Sequence, residues 1–269
     1  MPRKLRIASL GSSFAAGPSI TPIEDEAAGR SSQNYAHQLA KKLNADLTDL
    51  SVSGATLLNV LCEKQITEGG SVFQPQLSLL HGNTEIVTIT CGGNDIDYIG
   101  SLIDQTVKSY VDPKHPLVFA ASRKPVPLPQ SALVTRLEAV LDEVHRKAPK
   151  ARVYLVQYLS IIGTHTRPIR DISLSLEHVE HFDYIAQLLA EDYVEAARSR
   201  TAWVEVVPVA MESREHGIGS PQPWVRGFSM DMLEHGPAPY HPNLAGHTAV
   251  AEMLYARIVG DEAVRGARL

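Results

Sequence analysis

The sequence predicts an α/β fold with three layers, in which helices cover both faces of a five-stranded parallel sheet. Short apolar runs alternate along the chain with amphipathic helical patterns, an order that favours right-handed crossovers between parallel strands. Three of these runs end in polar turns, at residues 11–13, 53–54 and 92–95. Because we find neither an internal repeat nor a linker in the 269 residues, we expect a single domain over residues 1–269.

Three of the predicted strands lie in the N-terminal half. Residues 4–10 form an apolar run that ends at a glycine turn, and residues 46–52 stop at Ser53. Residues 85–90 are rich in β-branched side chains, which favour strands. Apolar residues at helical spacing predict three helices around these strands. The first starts at Ser31 or Ser32, and the other two cover residues 55–61 and 72–80.

The C-terminal half continues the alternation. Residues 130–147 predict a strongly amphipathic helix and residues 152–158 a fourth strand. A long helix over residues 177–198 precedes a short fifth strand at residues 203–207, and a helix over residues 243–259 follows.

Residues 111–130 interrupt this rhythm with five prolines. Proline removes a backbone donor and fixes φ, so this segment cannot be a central strand or a long helix. Two interpretations remain, a plain surface crossover and an insertion that forms a rim or lid over the site.

The composition limits the partners. A net charge of −5 lacks the basic surface that nucleic-acid binding needs. No apolar run approaches the length of a membrane span. The basic start is cut short at Gly11, too early for a secretory signal, so we expect a cytoplasmic protein.

The cysteines and histidines add little chemistry. Cys62 and Cys91 form no CxxC pair, which leaves a disulfide or, as we prefer, two buried thiols. The histidines lack metal-ligand spacing such as HExxH, so we assign neither a metal nor another cofactor. The oligomeric state is not encoded in any pattern we recognise.

Four polar segments can together supply acyl-transfer chemistry, which needs a nucleophile, a base and donors for the oxyanion. Ser13 follows the first strand and is the candidate nucleophile, and His241 is the candidate base. The backbone N–H groups of Ser13 and Gly54 and the side-chain amide of Asn94 are the candidate oxyanion donors. Gly54 suits that role because, without a Cβ, its backbone is open to substrate.

These segments resemble the four blocks of the SGNH hydrolases, also called GDSL-type lipases and esterases. The matching blocks are residues 10–17, 52–55, 90–95 and 241–247, in the family's order. The resemblance implies a flavodoxin-like sheet and hydrolysis of a carboxylic ester or lipid through an acyl-enzyme on Ser13. Residues 216–225 resemble the region before the family's histidine, and Trp224 within them is a candidate for the acyl pocket, local packing being the alternative.

The chain departs from the family at two positions. Ser12 stands where the family commonly has Asp, and Ala238 stands where it usually has an acid, three residues before the histidine. Neutralising the corresponding acid of a serine protease costs about 10⁴ in rate. Three alternatives to that acid remain. The imidazole is oriented by a backbone carbonyl near Ala238, or by a carboxylate of Asp231 or Glu234, or the site is a bare Ser–His dyad.

Other functions were weighed against the esterase. A nucleotide-binding protein would use residues 11–17 as a phosphate loop, but Pro18 stands where such a loop has Lys. A catalytically weakened family member that binds a ligand or partner is the second alternative, and Ala238 favours it. Taken singly, Ser13 could be a helix N-cap, Asn94 a turn residue and His241 a residue before the last helix.

Overall fold

The computed structural model describes residues 3–111, 127–234 and 236–260. Five parallel strands form its central sheet in the order β2-β1-β3-β4-β5. The strands are β1 (Arg6–Gly11), β2 (Asp46–Asp49), β3 (Ile86–Thr90), β4 (Arg152–Val156) and β5 (Val204–Val207). This is the flavodoxin-like order, so the direction of winding reverses between β1 and β3. In such sheets ligands bind outside the carboxyl ends of the strands at the reversal.

Eight α-helices among the described residues complete the fold. They are α1 (Ser13–Ala16), α2 (Tyr35–Leu43), α3 (Leu57–Leu61), α4 (Tyr98–Tyr110), α5 (Gln130–Lys147), α6 (Leu176–Ala197), α7 (Val209–Glu212) and α8 (Leu244–Gly260). Helix α2 packs against α8, while α5 packs against α3 and α6. Right-handed crossovers that run in opposite directions from β1 place these two groups on opposite faces of the sheet. The predicted fold, α/β with three layers, is confirmed.

Side-chain caps mark the starts of four of the eight helices described above, at Asn34, Thr56, Ser175 and Asn243. Asn34, not Ser31 or Ser32, caps α2, because its side chain accepts the His37 N–H at 3.1 Å. Ser31 instead lies in a short hairpin of Ile23–Asp25 with Arg30–Ser31. Asn243 caps α8 by accepting the Gly246 N–H at 3.0 Å.

The prediction was wrong or incomplete in three places. Residues 72–80 are not an α-helix: Val72–Phe73 pair with Gln65–Ile66, and a 3₁₀ turn (Gln76–Leu79) follows Pro75. Strand β2 ends at Asp49, because its carboxylate accepts the backbone N–H of Ser51 and turns the chain. Helix α4 and the four-residue helix α1 were not predicted.

The interior of the sheet is closely packed, and β3 is buried along its whole length. Both cysteines are free. Cys91 is buried at the end of β3, but Cys62 is exposed, which corrects the expectation of two buried thiols. The Tyr193 hydroxyl donates to the Cys91 carbonyl at 2.6 Å and accepts its N–H at 3.0 Å, so α6 anchors the end of β3.

Among the described residues, no helix is long and apolar enough to cross a membrane. The proline-rich segment was predicted as a crossover, rim or lid, and residues 112–126 of it lie outside the described residues.

Candidate active site

The turn after β1 presents the candidate nucleophile. Gly11 has φ 143°, and a Cβ there would collide with the carbonyl oxygen of Thr90, so only glycine fits. The Ser12 N–H donates to that same carbonyl at 2.9 Å. The Gln76 side chain spans Gly11, accepting its N–H at 2.8 Å and donating to its carbonyl at 2.9 Å. Two neighbouring segments therefore fix the turn, and Ser13 follows it as the first residue of α1.

Ser13 and His241 are in direct contact. The Ser13 Oγ lies 2.8 Å from His241 Nε2, and His241 Nδ1 lies 2.7 Å from the carbonyl oxygen of Pro239. Because a carbonyl can only accept, Nδ1 carries the imidazole proton. Nε2 of the neutral ring is then the acceptor for the Ser13 hydroxyl, which is the arrangement a general base needs.

A backbone carbonyl contacts the imidazole of His241, which is the first of the three alternatives that the sequence leaves open. The acceptor is the carbonyl of Pro239, one residue beyond the predicted Ala238. Asp231 and Glu234 are exposed, and within the described part of the chain neither carboxylate hydrogen-bonds the imidazole. Asp231 is satisfied locally, since the Ser229 side chain lowers the pKa of its carboxyl. The partial negative charge of the Pro239 carbonyl oxygen, rather than a carboxylate, therefore orients the imidazole of His241.

The surroundings of His241 favour the neutral imidazole. Burial lowers the pKa of His241 to about 4, and the nearby Arg226 cation acts in the same direction. The Pro239 carbonyl opposes this shift, because it accepts a hydrogen bond from the ring. His241 is consequently unprotonated at neutral pH and ready to accept a proton.

The candidate oxyanion donors come from two further turns. Gly54 has φ 81°, a left-handed conformation that glycine adopts without strain. Asn94 follows β3, and its Nδ2 donates to the Ala55 carbonyl at 2.8 Å, which joins the two turns. That bond uses one amide hydrogen and fixes which way the amide points, so the second remains for a ligand. Ser13 contributes its N–H at the start of α1, where helix N–H groups lack intrahelical partners.

Asp95 and Tyr158 brace this loop. The buried Asp95 carboxylate accepts the Leu57 N–H at 2.8 Å and pairs with Arg136 at 2.8 Å. Burial raises the pKa of Asp95, although both partners oppose the shift. These contacts show that Asp95 supports the loop.

Tyr158 connects the nucleophile turn with the same loop. Its hydroxyl accepts the Gly93 N–H at 3.0 Å and lies 3.0 Å from the Ser12 Oγ. Ser12, at the family's Asp position, thus has a partner in the segment that follows β4. The Tyr158 ring also packs on Phe14, whose ring lies 5.4 Å from that of His241.

The chain is similar to known proteins over most of its length. A sequence model of the GDSL-like lipase/acylhydrolase family matches residues 9–249, most of the chain. The chain belongs to this family. It is therefore a carboxylic ester hydrolase of the GDSL lipase and esterase type. Lipase 2 of Streptomyces coelicolor is 26% identical over 257 residues, which are 91% of this chain and 82% of that protein.

Solved structures share the fold at low identity. An extracellular lipase from Streptomyces rimosus is 19% identical with a TM-score of 0.70. A phospholipase A1 from Streptomyces albidoflavus is 20% identical with a TM-score of 0.70. Both alignments cover 94% of this chain and 99% of the other chain. The S. rimosus lipase is extracellular, so a cytoplasmic location for this GDSL-type chain remains a prediction.

Two other residues singled out in the sequence have structural contacts. The Trp224 ring stacks on His216 with centroids 3.8 Å apart, and its carbonyl accepts the Asn243 N–H at 2.9 Å. These contacts support local packing, and a role for Trp224 in the acyl pocket stays a prediction. His247 is buried in α8, where its Nδ1 accepts the Tyr35 N–H at 3.1 Å.

The sequence did not reveal the supporting residues Gln76, Tyr158, Arg226 and Pro239. Each acts through a contact with a segment distant in sequence or through a backbone atom, so no local motif signals it. In the described ranges, no group of three or more His, Cys, Asp or Glu side chains is arranged to hold a metal ion.

Proposed function

We propose that this hydrolase cleaves carboxylic esters by the serine mechanism, with an acyl-enzyme formed on Ser13. The observation that supports it is the relay from Ser13 Oγ to His241 Nε2 at 2.8 Å, and from His241 Nδ1 to the Pro239 carbonyl at 2.7 Å. A nucleophile in contact with a base that a third group orients is the general signature of covalent acyl transfer.

The first half-reaction acylates the serine. Ser13 Oγ attacks the ester carbonyl carbon while His241 Nε2 takes the hydroxyl proton. The N–H groups of Ser13 and Gly54 and the amide of Asn94 stabilise the oxyanion of the tetrahedral intermediate. The imidazolium then protonates the leaving alkoxide oxygen, the C–O bond breaks and the alcohol departs.

The second half-reaction returns the free enzyme. His241 takes a proton from a water molecule, and the hydroxyl oxygen attacks the acyl carbon. The same donors stabilise the second oxyanion. Collapse of this intermediate breaks the bond to Ser13 Oγ, which regains its proton from the imidazolium, and the carboxylic acid leaves.

The carbonyl of Pro239 partly offsets the effect of burial, which weakens the base. It fixes the tautomer as a carboxylate would, but its partial charge stabilises the imidazolium less. Buried beside the Arg226 cation, His241 is a weak base that stays unprotonated in mild acid. The expected enzyme is a modest catalyst with activity that extends to low pH.

A catalytically weakened protein that binds a ligand is the second candidate, and Ala238 at the family's acid position favours it. The two candidates differ in turnover. A protein that only binds a ligand has no need for a hydrogen bond between Ser13 and His241. Because this bond is intact, we favour the enzyme.

The test compares the wild type with Ser13→Ala on p-nitrophenyl acetate, butyrate and octanoate. The half-buried Ser32→Ala is the matched control, because it removes a hydroxyl whose one hydrogen bond within the described part of the chain goes to the Pro22 carbonyl. We expect Ser13→Ala alone to lose turnover while keeping the circular dichroism spectrum of the wild type. Diethyl p-nitrophenyl phosphate should label only the peptide that contains Ser13.

Two results would contradict the proposal. Equal turnover by Ser13→Ala and the wild type would remove Ser13 as the nucleophile. No turnover of any ester by the wild type, together with no phosphate label, would favour the ligand-binding protein.

A further inference from the structure

Arg226 lies on the segment that runs beside the His241 loop. Val225 and Pro242 form an antiparallel bridge, and the Arg226 N–H donates to the His241 carbonyl at 2.9 Å. The Asn243 N–H donates to the Trp224 carbonyl at 2.9 Å and extends this pairing. The backbone of residues 224–226 therefore holds the chain at His241 and at the two residues that follow it.

The Arg226 side chain reaches a different segment. Its Nη1 donates to the Pro242 carbonyl at 2.9 Å and to the Pro18 carbonyl at 3.3 Å. Its Nη2 donates to the Ser19 carbonyl at 3.2 Å. Pro18 and Ser19 follow directly after α1, the helix that Ser13 begins. One guanidinium thus joins the segment after the nucleophile to the loop that carries the base.

Ser19 strengthens this junction. It has φ 63°, an uncommon conformation for a residue with a Cβ, and its Oγ accepts the Ala238 N–H at 3.1 Å. The same short loop is therefore tied to both sides of His241, by Arg226 at Pro242 and by Ser19 at Ala238.

The positive charge of Arg226 is stabilised by carbonyl oxygens rather than by a carboxylate. The guanidinium is half-buried, and burial lowers its pKa. Its hydrogen-bond acceptors in the described part of the chain are carbonyl oxygens, and none of the ion pairs there includes it. Burying a cation without a carboxylate is costly, and a neutral side chain would avoid that cost.

We propose that Arg226 is a positioning residue for ester hydrolysis. Its guanidinium fixes the distance between Ser13 and His241, because it joins the loop after α1 to the loop that carries His241. The inference rests on the function proposed above. Lysine cannot reproduce it, because only the planar guanidinium reaches three carbonyls in fixed directions.

The charge and the geometry of Arg226 can be separated by two substitutions. Arg226→Lys keeps the cation and loses the fork, whereas Arg226→Met loses both. We expect kcat to fall about 10²-fold in each, since a misplacement of about 1 Å costs that much. KM should change by less than about threefold, because the contacts with substrate remain.

The fall of kcat/KM at low pH, here called the acid limb, reports the pKa of His241. It is a readout that mere structural damage would not give. The charged or titratable groups that face His241 are Arg226 on the neighbouring segment and the buried His247 on α8. Removing the cation in Arg226→Met should move this limb upward by about 0.5–1 pH unit, whereas Arg226→Lys should leave it in place.

Arg200→Met is the matched control, because Arg200 also makes several bonds but lies in the turn after α6 and pairs with Asp142 and Glu138 on α5. It should lower the thermal midpoint without changing the pH limb. Should Arg226→Met fail to fold, Arg226→Lys still tests the geometry. Wild-type kcat in a folded Arg226→Lys or Arg226→Met would overturn the inference.

A direct measurement separates this inference from the proposed function. The ¹⁵N signals of the His241 imidazole, assigned with His241→Gln, report its pKa without turnover, and a crystal structure of Arg226→Met reports the Ser13–His241 distance. A longer distance and a raised pKa support the inference even where the wild type hydrolyses no ester. An unchanged distance and pKa refute it whatever the activity.

Discussion

The acid limb of activity is the sharpest prediction, because it depends on His241 alone. Burial and Arg226 lower its pKa from the ordinary 6.5 to about 4. Protonation removes the acceptor for the Ser13 proton, so activity falls as the pH drops through this pKa. At pH 5.5 a pKa of 4 leaves about 97% of the imidazole unprotonated, whereas an unshifted pKa leaves about 9%. The wild type should therefore keep nearly full kcat/KM at pH 5.5.

Restoring the family's acid should reverse this behaviour. Ala238 occupies the position three residues before His241. In Ala238→Asp the carboxylate should raise the imidazole pKa by about 1–3 units and move the acid limb to higher pH. Ala238→Asn is the matched control, since it adds the same volume without the charge and should leave the limb near pH 4.

The assay must not depend on the colour of nitrophenol, which itself titrates. Released alcohol from a non-titrating ester, measured by chromatography between pH 3.5 and 8, avoids this problem. Circular dichroism at each pH separates loss of the base from unfolding. A wild-type limb near pH 6.5, or a limb that moves downward in Ala238→Asp, would refute the account of His241.

The other predictions concern the supporting residues. Asn94→Ala should lower kcat by about 10²–10³ if its amide stabilises the oxyanion, and steady-state kinetics showing a change in KM alone would contradict this. Tyr158→Phe should destabilise the fold by about 1–3 kcal/mol and lower kcat, because the buried Gly93 N–H loses its acceptor. In thermal melts its control is Tyr98→Phe, which removes a buried hydroxyl with no hydrogen-bond partner among the described residues and should cost little. His247 has a pKa lowered to about 3 by burial, so the folded state resists the proton that the unfolded state takes up below pH 6.5. Between pH 7 and pH 5 this should cost about 2 kcal/mol of unfolding free energy, and His241 should cost about as much, so urea titrations should find the loss roughly halved in His247→Gln.

Local patterns predicted the strands well, because a buried parallel strand is a continuous apolar run that ends in a turn. The strand now seen at Ile86–Thr90 and the turn at Asn94 are examples. The same approach failed at residues 72–80, where apolar spacing suited a helix but Pro75 cannot lie in a helix interior, and only the short 3₁₀ turn Gln76–Leu79 follows it. It also placed the start of α2 at a serine, since Ser and Asn are equally good caps and only the backbone shows that Asn34 accepts the His37 N–H.

The sequence alone determined the fold class, the family and the candidate nucleophile, base and oxyanion donors, because these depend on short motifs at the ends of strands. Tertiary structure decided how the base is oriented and supported. Ser13 meets His241 across 228 positions and Ser12 meets Tyr158 across 146. The orienting Pro239 carbonyl carries no side-chain signal at all. Hydrogen bonds between distant segments, and bonds to backbone atoms, depend on how the loops pack, and packing is a property of the whole chain rather than of any local pattern.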